Sequence, residues 1–163
     1  MKVLRITLSL DPVQGGVAQA VRSTVPRLRE ANADCDVVTL DAPGAAFIKG
    51  ESFKVYAMGP PSSPWKYSKT LLPWLIDNLP AYDAVIVDGL WTYCSYAALK
   101  AVKSLRAKQH ARVPRLFVMP HGMLDPYFQR DSRRRLKAIR NWFYWKALEG
   151  DVVNNSDGIL FTC

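Results

Sequence analysis

The residues best suited to chemistry lie in three short turn-forming segments. Pro120-His121-Gly122-Met123-Leu124-Asp125-Pro126 holds one of only two histidines in the 163-residue chain. An imidazole at such a turn can donate to or accept from a hydroxyl near neutral pH, or it can be satisfied by the turn itself. The other histidine, His110, stands among Lys108, Gln109 and Arg112 and reads as ordinary surface. The second segment, Asp88-Gly89-Leu90-Trp91-Thr92-Tyr93, allows close backbone approach at Gly89 and offers a flat indole wall at Trp91. The alternative for Trp91 is a cap on the core beneath the next helix. The third, Asp11-Pro12-Val13-Gln14-Gly15-Gly16, ends in paired glycines just before a helical repeat of apolar residues. Free N–H groups at a helix start attract an anion such as a diphosphate, whereas the plain reading is a tight turn that needs positive φ. The segment is neither G-x-G-x-x-G nor a loop ending in G-K-[ST], which disfavours a dinucleotide oxidoreductase or an NTPase. No His, Cys and carboxylate cluster falls at metal-ligand spacing and no G-x-S-x-G elbow occurs, so metal and serine-hydrolase chemistry are not indicated.

A fourth feature is basic and aromatic. Arg130-Asp131-Ser132-Arg133-Arg134-Arg135 is followed by Lys137, Arg140 and Trp142-Phe143-Tyr144-Trp145. A helix of this kind can rest on an anionic membrane with its aromatics at the headgroups, or it can bury those aromatics in a core. No nucleic-acid module accompanies the charge, so nucleic acid is not an expected partner.

Such turns act together only if a scaffold gathers them. Short β-branched runs alternate with longer amphipathic or alanine-rich segments, the pattern of parallel strands joined by crossover helices. Strands are predicted over Val3 to Leu10, Val37 to Leu40, Ala84 to Asp88 and Leu116 to Met119, with Ile159 to Phe161 as a fifth and Phe53 to Ala57 as a weaker one. Their near-continuous hydrophobicity fits strands covered on both faces. Val17, Val21, Val25 and Leu28 predict a helix behind the glycine pair, kinked at Pro26. A second helix is predicted from Tyr93 to Leu105, where Ala97, Ala98 and Ala101 let it lie close on a sheet. The stretch from Gly59 to Pro64 is a surface loop, and Trp65 to Leu79 a helix broken at Pro73. A last helix is expected from about Ser132 to Glu149, capped by Asp131 or Ser132, with Leu136, Ile139, Phe143 and Ala147 facing the core. In an open parallel sheet the chemistry-bearing turns would all follow strand ends, where ligands collect.

Composition agrees with this picture. At 163 residues and 49% apolar, the chain can bury one core and has no room for a second full domain. Its net charge of +8 lies wholly after residue 90, a basic half-surface suited to phosphate in any form. The amino terminus is interrupted by Arg5 and Thr7 and does not read as a signal peptide, and no segment is long and apolar enough to cross a bilayer. Three scattered cysteines, Cys35, Cys94 and Cys163, point to reduced thiols in a cytoplasmic protein. Ile159-Leu160-Phe161-Thr162-Cys163 reads as a buried strand with nothing after it to cover its surroundings, so the domain is expected to be incomplete.

Taken in order, three runs resemble the amino-terminal domain of glycosyltransferase family four, a group of retaining GT-B enzymes. They are Gly15-Gly16-Val17-Ala18-Gln19-Ala20-Val21, Tyr82-Asp83-Ala84-Val85-Ile86-Val87-Asp88-Gly89-Leu90-Trp91, and Pro120-His121-Gly122-Met123-Leu124-Asp125-Pro126 followed by the basic aromatic helix. The resemblance spans nearly the whole chain. It implies a doubly wound, mostly parallel Rossmann-like α/β domain over residues 1–163, one half of a GT-B fold, without the carboxyl-terminal donor-binding half. It further implies sugar transfer from a nucleotide-diphosphate sugar to a sugar or lipid-linked acceptor hydroxyl, with no cofactor and no required metal, in polysaccharide or glycolipid biosynthesis. By the same resemblance Gly15 and Gly16 approach the donor phosphates and His121 orients the reacting groups. Gln14, Trp91, Gly122, Asp125 and Arg130 line the acceptor side. The protein is then expected in the cytoplasm, with peripheral contact at the inner face of an anionic membrane. This chain alone is expected to turn over little or nothing. The competing reading is a noncatalytic α/β module that binds an anionic ligand or a membrane surface.

Overall fold

The structure, a computed structural model, describes residues 1–124 and 142–161. Six strands form a single parallel sheet in the order β3-β2-β1-β4-β5-β6. They are β1 (Lys2–Ile6), β2 (Asp34–Thr39), β3 (Val55–Ala57), β4 (Ala84–Asp88), β5 (Arg115–Met119) and β6 (Gly158–Ile159). Helices α1 (Gly16–Glu30), α2 (Leu71–Asn78) and α3 (Tyr93–Ala107) form the crossovers, and a short α4 (Gly150–Asn154) precedes β6. This is the doubly wound, Rossmann-like α/β architecture expected from the strand pattern.

The alternation of side chains across each strand explains the two layers. Val3 and Leu4 are both buried but on opposite faces, because successive Cβ atoms leave a strand in opposite directions. Val3, Cys35, Val37 and Ala84 pack with Val21 and Val25 of α1. Leu4, Ile6, Val38, Val85, Val87, Leu116 and Val118 pack under α2, α3 and Val152 of α4. On α3 the small residues Ala97, Ala98 and Ala101 are fully buried and let the helix axis approach the sheet. Each fully buried Leu or Val in this layer removes apolar surface worth about 1.5–3 kcal/mol from water.

Several boundaries differ from the expected ones. β1 ends at Ile6, four residues before Leu10, although Thr7 N–H still donates to Val38 O at 3.0 Å and Leu40 N–H to Leu8 O at 3.0 Å. α1 continues through Pro26 to Glu30. α2 starts at Leu71 and not at Trp65, so Pro73 falls in its first turn, where a missing N–H costs nothing. Residues 65–70 are instead a loop held at both ends: Tyr93 N–H of α3 donates to Trp65 O at 2.9 Å and Ser68 Oγ donates to Met58 O at 2.6 Å, and just ahead of it Gly59 N–H donates to Asp41 O at 3.0 Å. Gly59 is obligatory there, since a Cβ would sit 1.8 Å from Leu40 O.

The last helix is corrected most. Residues 142–144 are helical, and Trp145–Glu149 form a π turn that runs on into α4 rather than stopping at Glu149. Phe143 and Ala147 are exposed rather than core-facing, and Glu149 is the buried residue instead. The extra residue of the π turn rotates the face that meets the protein. Leu136, Ile139 and the predicted cap at Asp131 or Ser132 lie outside the described residues. Among the described residues no helix is long and apolar enough to cross a membrane.

Sequence order reverses between β1 and β4: β2 and β3 extend one way from β1, while β5 and β6 extend the other way from β4. The loops after β1, β4 and β5 therefore leave three neighbouring strands at one carboxyl edge, around the topological switch point where open α/β sheets bind ligands.

Candidate functional site

At this edge β1 contributes an unexpected residue. Arg5 lies on the α1 side of β1 and is 2% exposed, with no aqueous route for its charge. Its Nε donates to Asp88 Oδ2 at 2.7 Å and its Nη2 to Asp88 Oδ1 at 2.7 Å, a two-point pairing with the last residue of β4. Nη1 donates to the hydroxyl of Thr24 on α1. A buried charge persists only when paired and hydrogen-bonded, and both members meet that condition.

His121 completes the group. Its Nε2 stands 2.7 Å from Asp88 Oδ1. A carboxylate can only accept, so Nε2 carries a proton and, in the neutral ring, Nδ1 is the remaining acceptor. The backbone at this turn is unusual: His121 has φ +50° and Gly122 has φ +75°. Left-handed conformation is uncommon for a non-glycine residue, and the Asp88 hydrogen bond helps hold it. The loops after β4 and β5 also interlock. Leu90 N–H donates to Met123 Sδ at 3.2 Å, and a Cβ on Gly89 would lie 3.1 Å from Met123 Cε.

The loop after β1 is braced from below. Asp41 accepts from Ser9 Oγ at 2.5 Å and from Leu10 N–H at 2.9 Å, and Asp11 accepts from Val13 N–H at 2.9 Å at the start of a 3-10 turn, Pro12–Gln14. Gly15 adopts φ +85° and ψ −143°, open only to glycine, so the tight-turn reading holds for it. Gly16 is different. It begins α1 in ordinary conformation, and a Cβ there would meet nothing within 4 Å. No side chain caps this helix start and no acidic residue lies in its first turn. Gln14, Gly15, Gly16 and Gly122 are all exposed.

Trp91 is half-buried with φ +67°, packed against the core and against Trp145, with ring centroids 6.3 Å apart. Its N–H donates to Glu149 Oε1 at 2.9 Å, and Ser95 Oγ donates to the same oxygen at 3.0 Å. Glu149 is 0% exposed, and among the described residues its Oε2 has no hydrogen-bond partner. Burial raises its carboxyl to about 7, while the Ser95 and Trp91 hydrogen bonds oppose that rise.

The structure thus brings His121, Trp91 and the Gly15–Gly16 loop to one edge of the sheet. Asp125 and Arg130 lie outside the described residues. Sequence reasoning missed Arg5, Asp88 and Glu149 as site residues. The signal for the first two was an arginine set among the apolar residues Val3, Leu4 and Ile6 of a buried strand, since such a charge needs a carboxylate nearby. Among the described residues no group of three His, Cys, Asp or Glu side chains could hold a metal ion.

Comparison with known proteins bears on this geometry. The profile of a family described as "Glycosyl transferase 4-like domain" matches residues 15–163. No curated protein matches the sequence. Among solved structures, UDP-GlcNAc 2-epimerase from Methanocaldococcus jannaschii superposes with a TM-score of 0.57 at 12% identity, covering 100% of this chain and 40% of that one. At that identity the likeness speaks for the fold alone, and this chain spans less than half the length of that protein.

Proposed function

Because this chain belongs to the glycosyl transferase 4-like domain family, we propose that it is the acceptor-side half of a retaining GT-B glycosyltransferase. In this reading it helps move a sugar from a nucleotide-diphosphate donor to the hydroxyl of a sugar or lipid-linked acceptor. The observation that carries the reading is the Arg5–Asp88–His121 cluster at the switch point of the sheet. Asp88 fixes the ring of His121 by its Nε2, so no rotational freedom is lost there when substrate arrives, and Nδ1 serves a substrate hydroxyl. His121 orients the reacting groups and strengthens a hydrogen bond in the transition state; it is not a nucleophile.

The uncapped start of α1 suits the donor diphosphate, whose charge rises as the sugar leaves. Gly16 has space around it that the fold does not use, which supports a close phosphate approach at its backbone. Charge on a leaving diphosphate needs preorganised donors on both sides of a cleft. The chain spans 40% of the epimerase it superposes on, and in our reading a second lobe holds the donor and this chain alone turns over little. No metal or cofactor enters the proposal. Gln14, Trp91, Gly122, Asp125 and Arg130 are assigned to the acceptor.

The protein is placed in the cytoplasm, in polysaccharide or glycolipid synthesis. The exposed pair Trp142 and Phe143, edge to face at 5.0 Å, supports peripheral contact with an anionic membrane. Co-sedimentation should then be stronger with anionic than with neutral vesicles and should weaken with salt; equal sedimentation with both removes the membrane from the proposal.

Two substitutions test the transfer reading with the second lobe present. Gly16→Ala should leave the urea unfolding midpoint nearly unchanged, within about 0.5 kcal/mol, yet raise the donor KM. His121→Ala should lower kcat by about 100-fold or more, the usual weight of positioned acid–base groups. Undiminished transfer by His121→Ala would sink the assignment.

A further inference from the structure

Trp91 is a bulky residue held at φ +67°. For such a residue the left-handed region costs about 1–2 kcal/mol, so its surroundings must hold it there. The hold comes from the far end of the chain. Trp91 N–H donates to Glu149 Oε1 at 2.9 Å, and Trp145 packs against its ring. Both Glu149 and Trp145 belong to the π turn, and Gly150 makes that turn possible: a Cβ there would sit 2.8 Å from Trp145 O and 3.6 Å from its indole Nε1. Ser95 ties the same carboxylate oxygen to the first turn of α3, and its single hydroxyl proton is shared between Glu149 Oε1 at 3.0 Å and Thr92 O at 2.9 Å.

We propose that Glu149 is a positioning residue, a clamp by which the carboxyl-terminal helix sets the conformation of Trp91 and hence the acceptor wall of the rim. The role of Trp91 as a wall rests on the transfer reading above; the clamp does not.

A purely structural acceptor would not require an acid, since the side-chain carbonyl of glutamine can also accept from Trp91 and Ser95. The carboxylate instead leaves Oε2 buried and without a partner among the described residues, a cost to the anion that a proton relieves. When Oε1 is anionic, its bond to the Trp91 amide is charge-assisted, and protonation weakens it. The titratable groups around the clamp do not interfere. Cys94 on α3 is pushed up to about 12 by burial and stays protonated, Asp88 on β4 is committed to Arg5, and Lys103 on α3 pairs with Asp151 at 2.7 Å.

The test follows backbone amide resonances of the full chain by NMR against pH, with no donor or acceptor added. In the wild type the Trp91 amide should move in one step centred near pH 7, where burial places Glu149. Glu149→Gln should abolish that step while keeping Trp91 in its hydrogen-bonded position, and Glu149→Ala should lose both. His121→Gln should leave the step in place, which separates it from titration of the imidazole. A Trp91 amide that does not titrate in the wild type, or titrates unchanged in Glu149→Gln, overturns the clamp whether or not Glu149→Ala folds. Since no sugar chemistry enters the readout, that failure is distinct from a failure of the transfer reading, which the His121 and Gly16 variants decide.

Discussion

Two buried carboxylates stand near the same rim and are accommodated in opposite ways. Asp88 has both oxygens paired with the guanidinium of Arg5, and one of them also with His121. Glu149 has one oxygen served by two neutral donors and the other with no partner among the described residues. The first is balanced by a permanent cation, because arginine does not lose its proton in proteins. The second has no cation, and the desolvation it suffers is relieved by a proton from solvent. Low dielectric surroundings therefore hold an ion pair in one place and a carboxyl raised to about 7 in the other. The difference lies in the partners, not in the depth of burial.

The sharpest way to break this contrast is to take the cation from Asp88. Arg5→Met should destabilise the fold by about 3–5 kcal/mol in urea unfolding, since it strands a buried charge. Adding Asp88→Asn should recover much of that loss. A cost under about 1 kcal/mol for Arg5→Met would mean that the pair is not what balances Asp88.

The next effect is smaller and depends on pH. Glu149 titrates at about 7 in the folded protein, above its ordinary value of 4.5. A carboxyl raised on folding binds its proton more tightly in the native state, so its contribution is full below about pH 4.5 and is lost as pH rises through about 7. The unfolding free energy of the wild type should fall between pH 5 and pH 8 by on the order of 2 kcal/mol more than that of Glu149→Gln. Parallel curves for the two proteins would place Glu149 with the ordinary surface acids.

The smallest effect is expected at Gly150. In Gly150→Ala the added Cβ meets Trp145 O at 2.8 Å, and overpacking of about 1–3 kcal/mol is partly offset by the better helix propensity of alanine, near 1 kcal/mol. The π turn should relax and let water reach Glu149, moving its titration back toward 4.5 while leaving Asp88 untouched.

Much of the scaffold could be read from residue order. Ala84–Asp88 was bounded correctly because a run of β-branched residues between turn signals has few alternatives, and α3 starts at Tyr93 as its alanine face requires. Trp65 misleads as a helix start because its indole is held by an aromatic contact and not by a helical face: it lies 5.2 Å from Tyr93, edge to face. His121 and the glycine pair were visible because rare residues at predicted strand ends stand out. In the sequence Asp88 reads as the end of a strand and the start of a loop, and Arg5 as an interruption of an apolar stretch. Their bond spans 83 positions, and no local pattern encodes a partner that remote. Glu149 was hidden for another reason. Its burial depends on a π turn, and a straight 3.6-residue repeat assigns the wrong face on either side of one.

The reversal of strand order between β1 and β4 also governs how the chain can assemble. β1, β2 and β3 follow one another in sequence, as do β4, β5 and β6, so paired strands within each half-sheet are nearer in sequence than β1 and β4 are. The central seam instead brings Val3 beside Ala84, a closure whose entropic cost must be met before any contact rewards it. Arg5 and Asp88 belong to different halves and reach each other only when that seam shuts. Until then each ion keeps its water, and both are dehydrated together when it closes.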